Sequence, residues 1–359
     1  MKSFISLFII AAGLILFQGC DKNNGPAAGS DGILGLLNAD TSDFNFSGYE
    51  QVKDEGEFGL TYKFEKGTKR TYRFLSQTVD TSALFADTTL YRITTDKRTY
   101  VLTAEVKEVD ADGTGELEFV ITGVSYELKM KEGDRDTSIV FNSTMKVDSS
   151  ERMKYFEFLS LVDAPFSAKI NKNGKIIEVF RADKIANKMI EMSGMKDSIS
   201  TDEKISYVGQ VSEQILKPFL GQVTREMYEK PVKLNFKWEQ PRPPVNNQTL
   251  AMENTFIFTV ANRYKKSDDN LVLVDAGVTT KVAVNPALKA QGIDMQTPIF
   301  KGWGSIVFNQ SGGHIQKSKT KTLLVMDYSA QAPAMKTGQM MTMRHLQMTY
   351  TLNILEYIK

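Results

Sequence analysis

Between residues 182 and 229 the apolar residues recur every three or four positions, and in the runs on either side they recur every second position. That change of period constrains the chain more than any single motif. A helix repeats its faces every 3.6 residues and a strand every 2, so each period can bury one face on one kind of backbone only. The middle therefore predicts helices and the flanks predict strands. Ile185, Ala186, Met189 and Ile190 form one stripe, ending near Gly194. Ser200 and Glu203 offer a capping box ahead of Ile205, Val208, Ser212, Ile215 and Phe219 at helical spacing. Pro218 has no N–H and crowds the preceding turn, so a kink or break is expected there. Leu220, Val223 and Met227 carry a second short stripe towards Pro231.

On the N-terminal side, residues 33–37 are a small apolar cluster that reads as a short helix docked on the body. Phe58, Leu60, Tyr62 and Phe64 then alternate as on a half-buried strand, and Lys66-Gly67 turns the chain into residues 71–74 as a hairpin. A long strand is expected over residues 89–109, then a turn at Asp110-Ala111-Asp112-Gly113. The return run carries Leu117, Phe119 and Ile121, after which the apolar set shifts to Val124, Tyr126, Leu128 and Met130. A shift of one residue would turn those side chains to the other face, so a bulge near Gly123 is expected. Residues 166–170 and 175–180 form a hairpin about Asn173-Gly174. Beyond the helices, strand patterns resume at residues 232–238, 250–260, 271–284, 303–308, 315–326 and 339–357. The fold class that follows is α+β, with two mainly antiparallel β-rich units (45–181 and 231–359) flanking a central helical segment (182–230). The apolar strand faces need a cover. Either two sheets face each other, or the helical block fills a concave sheet.

The start of the chain has a different character. Met1 and Lys2 precede an apolar run over residues 3–17, too short to span a bilayer comfortably as a mature helix. Phe17-Gln18-Gly19-Cys20 follows and resembles the lipobox of bacterial lipoprotein signal peptides. The resemblance implies a signal peptide over residues 1–19, cleavage before Cys20, and acylation of that residue. Several acyl chains at one residue exceed the marginal hold of a single chain and make a stable anchor. Residues 21–32 are rich in Asn, Gly, Ala and Ser and read as a flexible tether, the whole linker being 20–44. Cys20 is the single cysteine, which leaves no disulfide framework and no thiolate metal cluster. Together with the lipobox, Tyr62-Lys63-Phe64-Glu65-Lys66-Gly67, Val109-Asp110-Ala111-Asp112-Gly113 and Asn173-Gly174-Lys175-Ile176 resemble a family of uncharacterised bacterial envelope lipoproteins. That resemblance implies a lipid-anchored protein of the cell envelope, periplasmic or surface-exposed, with no activity to carry over.

The search for chemistry returns mostly ordinary explanations. Lys plus Arg number 44 against 43 Asp plus Glu, so bulk charge gives no case for a nucleic-acid partner. There is no Gly-x-Ser-x-Gly elbow, and Gly302-Trp303-Gly304-Ser305 lacks the closing glycine. His314 and His345 are the only bases available to a serine triad, and His314, beside a Gly-Gly turn, is expected to face water. Asp110, Asp112, Glu116 and Glu118 read as a solvated turn rather than a calcium loop, and Asp268-Asp269 as a surface loop. Met341, Met343 and His345 share one face of a strand, and two thioethers with an imidazole would suit Cu(I); packing is the plainer reading. No cofactor is expected. The resulting expectation is a non-enzymatic envelope lipoprotein acting as a tethered binding or scaffold module, its partners the membrane and either an envelope protein or a hydrophobic ligand. One alternative is a carrier of lipid or another hydrophobic ligand, in which a sheet lined by Phe, Tyr, Leu and Met encloses an acyl chain; a further one is an enzyme of unrecognised type, with a carboxylate dyad brought together from distant strands.

Overall fold

The computed structural model describes residues 31–53, 56–86, 88–246, 248–333 and 339–359. Cys20, the lipobox and the tether as far as residue 30 lie outside the described residues. The N-terminal half supplies α1 (Asp31–Leu36), β1 (Glu50–Gln51), β2 (Lys69–Phe85), β3 (Thr89–Val109), β4 (Gly115–Glu132) and β5 (Arg135–Asn142). It continues with α2 (Phe156–Leu161), β6 (Phe166–Ile170) and β7 (Ile176–Phe180). The middle is α3 (Asp183–Met192), α4 (Thr201–Gln210) and α5 (Lys217–Val223), with a π-turn over Val211–Leu216 joining the last two. Then come β8 (Lys237–Pro241), β9 (Val245–Asn246), β10 (Leu250–Lys266), β11 (Asp269–Val284) and α6 (Ala287–Ala290). The chain closes with β12 (Ile293–Met295), β13 (Ile299–Asn309), β14 (His314–Pro333) and β15 (Met340–Tyr357).

All of these strands enter one sheet, in the order β1-β10-β11-β13-β14-β15-β2-β3-β4-β6-β7, with antiparallel pairing throughout. The expected pair of β-rich units on either side of a helical segment is therefore not what forms. The last strand lies beside the first long one: β15 pairs with β2 from Arg344↔Phe85 to Tyr357↔Tyr72. Two long strands with exposed edges would each be a liability if left unpaired, and pairing them removes both. Short strands cover the outer edges in turn, β9, β8 and β1 along β10, and β6 and β5 along β4.

Several local expectations hold and others shift. The bulge is present: Val101 pairs with Gly123 and Leu102 with Ile121, leaving Thr122 extra on β4. Ser200 accepts from the Glu203 N–H while the Glu203 carboxylate accepts from the Ser200 N–H, completing the capping box. The alternation at Phe58, Leu60 and Tyr62 marks truly buried side chains, but their backbone joins no ladder. It runs extended through the core, exchanging bonds with Val232 (2.9 and 2.8 Å) and donating from Tyr62 to Lys172 O (2.8 Å) and from Lys63 to Gly313 O (3.1 Å). The turn at Lys66-Gly67 forms, with the Thr68 N–H donating to Glu65 O at 3.0 Å, but it closes no hairpin, and the Gly67 N–H donates to Val106 O at 2.8 Å.

The sheet is curled. Trp238 and Phe258, near one end of the strand order, share one contiguous core with Phe166 and Val179 at the other. Laid flat, eight strand spacings would hold them roughly 40 Å apart. The face carrying Tyr72, Phe74, Tyr100 and Val274 is concave, and its lower end is plugged by α2, α3, the π-turn, α5 and the extended 57–64 segment. Ile185, Ala186, Met189 and Ile190 of α3 are all buried there, the larger ones worth about 1.5–3 kcal/mol each. Burial at the other end of the sheet shows the same curvature. On β11, Val278, Thr280 and Val282 of the concave face are half-buried, while Thr279, Lys281 and Ala283 of the convex face are exposed. Residues 31–49 strap the lower part of the convex face, where Arg73 donates to Leu36 O (3.0 Å) and Lys319 pairs with Asp43 (2.8 Å).

Candidate functional site

The helical plug stops part-way along the concave face. Phe219 of α5 closes edge-on over Phe74 of β2 and Tyr100 of β3, at 5.9 and 5.2 Å between ring centres. Below this level the sheet is filled, the free space among Tyr62, Tyr72, Val223 and Ile315 amounting to about 30 Å³. At the level of Phe219 a cleft of about 290 Å³ opens, bordered by Ser76, Arg98, Glu157, Gln222, Thr351 and Asn353. Beyond it the strands run on as an open trough.

Register fixes what lines that trough. Direct cross-strand partners share a face, so Ser76, Thr78, Asp80 and Ser82 of β2 stand beside Asn353, Thr351, Thr349 and Gln347 of β15. These make a polar stripe along the floor. Asp80 accepts from Gln347 Nε2 and from Thr349 Oγ1, both at 2.6 Å, and Thr78 shares a hydroxyl bond with Thr351 at 3.2 Å. On the β3 side Arg98 forms a two-pronged pair with Asp96 (2.8 and 3.0 Å) and reaches Glu157 of α2 at 3.0 Å. Burial opposes the Arg98 charge, and the two carboxylates outweigh it, holding the guanidinium above its usual range. Each of these carboxylates thus already has a partner in the floor.

The walls are apolar. Leu324 and Met326 of β14 follow the stripe on one side, with Phe300 beside Leu324 on β13, then Val278 and Val282 of β11. Phe256 and Met252 of β10 complete that wall. On the other side stand Tyr126, Leu128 and Met130 of β4. Methionine is a flexible gap-filler, so this lining can fit apolar shapes that vary. A polar stripe between apolar walls suits an amphiphile.

The sequence-picked residues fall in varied places. Met341, Met343 and His345 do lie together on the concave face of β15, near the outer end of the trough. The His345 ring rests on Tyr328 at 5.0 Å, and burial pushes its pKa down. His314, expected to face water, is buried against Tyr357 at 4.5 Å. Its packing partner comes from the far end of the chain, which a local reading around Gly312-Gly313 could not supply. Asp112 bonds the Thr114 N–H and hydroxyl in its own turn, while Glu116 pairs with Arg181 and Glu118 with Lys107. Gly302 and Gly304 sit mid-strand in β13, where a Cβ on Gly304 would come within 2.4 Å of Lys319 O. Among the described residues, no group of three or more His, Cys, Asp or Glu is placed to hold a metal ion, and no helix is long and apolar enough to cross a membrane. Sequence reading missed the floor stripe, because Ser, Thr and Asp at alternate strand positions look the same as a solvent face.

A family model described as a family of unknown function, DUF6263, matches residues 113–313, more than half of the chain. No curated protein matches the chain. Among solved structures, a lipovitellin chain titled for its lipid–protein interactions aligns with 83% of this chain at 11% identity and a TM-score of 0.40. This chain spans only 26% of that one. The outer membrane protein OprG from Pseudomonas aeruginosa aligns at 9% identity and a TM-score of 0.19, covering 83% of this chain and 97% of its own. OccK7 (OpdD) from the same organism aligns at 6% and 0.20, covering 81% and 100%. All three scores lie below the level that identifies a common fold.

Proposed function

The chain belongs to the DUF6263 family of unknown function, and we propose that it is a membrane-anchored envelope protein that binds an amphiphilic, acyl-bearing ligand in its trough. The observation that carries this reading is the position of the plug. Helices fill one end of the concave face and leave the other as a sheltered surface with apolar walls and a polar floor. A sheet meant only to hold itself together would leave no such asymmetric, half-buried apolar face. The polar stripe would hold a headgroup through hydroxyl, amide and carboxylate groups, while Leu324, Met326 and Val278 cover the chain. The role is non-enzymatic: it requires recognition and release, with no bond made or broken. The lipobox-like Phe17-Gln18-Gly19-Cys20 supports anchoring through Cys20 and hence the envelope address.

Organic extraction of the protein purified from its own cells, followed by mass spectrometry, tests the reading. A stoichiometric acyl-bearing compound is expected, and a clean protein fraction with no co-purifying lipid contradicts it. A fluorescent acyl probe then locates the site. Leu324→Glu sets a carboxylate on the trough wall and is expected to weaken probe binding by about tenfold or more. Leu323→Glu, one residue along and on the convex face, should leave binding unchanged.

A further inference from the structure

Two arginines approach each other where the end of α5 meets the wall of the trough. Arg225 follows α5, and the Tyr62 hydroxyl clamps its backbone, accepting from the Arg225 N–H and donating to its carbonyl, both at 3.0 Å. Its side chain folds back along the last turn of α5, where Nη1 donates to Gly221 O at 3.1 Å and Nη2 to Gln222 Oε1 at 3.3 Å. Gln222 borders the cleft with Thr351 and Asn353 of the floor, so this guanidinium lies at the cleft's edge. Arg242 comes from the sheet. It follows β8, its N–H donating to Asn254 O at 2.8 Å, and its guanidinium sits over the Phe256 ring of the wall, 4.8 Å from the centre. Gln240 ties the two segments together, donating to Glu226 O at 2.8 Å and accepting from Arg242 at 3.3 Å.

A charge taken out of water is costly unless a counter-charge meets it, and here one is missing. Arg225 forms no ion pair among the described residues, and both acceptors it reaches are neutral. Among the described residues, the carboxylate paired with Arg242 is that of Glu226, partly exposed and 4.0 Å away. The Nε atoms of both arginines are shut off from solvent with no acceptor. Burial, and beyond it the Arg242 charge, pull the Arg225 pKa down to about 10. The carbonyl end of a helix supplies about half a negative charge at most, so α5 offsets only part of one guanidinium. Acidic groups nearby are engaged or turned away. Asp96 and Glu157 hold Arg98, Asp80 accepts from Gln347 and Thr349, and Glu239 and Glu253 stand on the convex side of β8 and β10. We infer that Arg225 and Arg242 are the acid-binding end of the trough, their N–H donors taking a carboxylate or phosphate group, so that its ligand is an acidic amphiphile. Guanidinium groups present flat sets of N–H donors that match the oxygens of such an acid, and charge-assisted bonds of this kind are strong in an enclosed site. The assignment rests on the trough being a ligand site, as proposed above.

Matched ligands separate the acid from the acyl chain. Full-chain protein carrying the fluorescent acyl probe is titrated with oleate against oleyl alcohol, and with monooleoyl glycerol phosphate against monooleoyl glycerol. In at least one pair the acidic member is expected to displace the probe at a concentration about tenfold lower than its neutral partner. Arg225→Gln should weaken the acidic member about tenfold and leave the neutral one unchanged. Arg242→Gln, at a partly exposed side chain away from the Tyr62 clamp, should lower the same preference and carries the test should Arg225→Gln not fold. An arginine that merely caps α5 behaves differently: Arg225→Gln would then lower the melting temperature of the ligand-free protein and keep the acid preference, which overturns the inference. The expected result is a ligand-free melting temperature that holds or rises, since an unpaired buried charge is gone, with the stabilisation by the acidic ligand lost. Equal binding of acid and neutral members in both pairs overturns the inference and leaves the trough as a ligand site, whereas binding of none of the four removes both. Inorganic phosphate that binds alone and is lost in Arg225→Gln, with no acid preference among the lipids, would give the pair to a free anion and overturn the inference as well.

Discussion

Leu352→Pro is expected to unfold most of the molecule rather than trim one strand. Leu352 sits in the middle of β15, paired with Lys321 of β14 on one side and Gln77 of β2 on the other. Proline removes the N–H from a ladder closed on both sides, and its ring collides with the neighbouring backbone. The penalty for proline inside a helix, about 3 kcal/mol, sets the scale, and a stranded acceptor in the sheet adds about 1–3 kcal/mol more. Against a typical total stability of about 5–15 kcal/mol, that is a large part. Because β15 is where the chain's end meets its beginning, the loss spreads to both halves. Ile177→Pro makes the contrast: Ile177 is an exposed, unpaired bulge position on the outermost strand β7, so its cost should be far smaller. Urea titration of the two variants checks the difference.

Gly174→Ala is the second large effect. Gly174 has φ +86° in the β6–β7 turn, a conformation costing about 1–2 kcal/mol for a residue with a side chain. A Cβ there would also lie 2.4 Å from the Tyr62 ring and 2.5 Å from the Arg225 carbonyl. The ring could tilt, but the carbonyl is backbone and accepts the Tyr62 hydroxyl at 3.0 Å, so the overpacking adds about 1–3 kcal/mol. The expected loss of roughly 3 kcal/mol should appear as a fall of several degrees in the melting temperature. Gly67→Ala gives the comparison, since Gly67 has a similar φ of +85° with open space around it and should lose only the backbone part.

Those two positions show what a sequence can and cannot disclose. Asn173-Gly174 is legible as a turn because only a residue without a side chain enters that conformation cheaply. That Tyr62 and Arg225 press on it is not legible, because both come from distant segments. The same division runs through the fold. Period and punctuation mark β3, the Asp110–Gly113 turn and the Thr122 bulge, since each is set by neighbours in the chain. Alternation says which face of a strand is buried and nothing about which strand lies beside it, so β15 and β2 look like the outer strands of two separate units. Residues 57–64 alternate for the right reason, burial, yet their hydrogen bonds go to turns and loops. In the helices, the spacing puts Ile205 on the core stripe with Phe219, yet its side chain is 66% exposed. The π-turn over Val211–Leu216 explains it: an i to i+5 turn rotates the helix face, so positions before and after it no longer share a stripe. An apolar-lined concave sheet is among the sequence's alternatives, but which residues line the trough is not legible, for a related cause. Its apolar walls come from β4, β10, β11, β13 and β14, and no single strand displays them.

The pairing of the chain's two ends is the claim on which the curled sheet, the plug and the trough all depend, and cysteine cross-linking tests it most directly. Val79 and Tyr350 are direct partners across β2 and β15, and Cys20 is the only native cysteine, easily replaced by alanine. Val79→Cys with Tyr350→Cys should form an intramolecular disulfide in the folded protein under mild oxidation, because opposed positions on antiparallel strands bring Cα atoms within the span a disulfide needs. Val79→Cys with Lys281→Cys, on strands well apart in the order, should not. Failure of the first pair to close in folded protein, or equal closure of both, would contradict the single sheet.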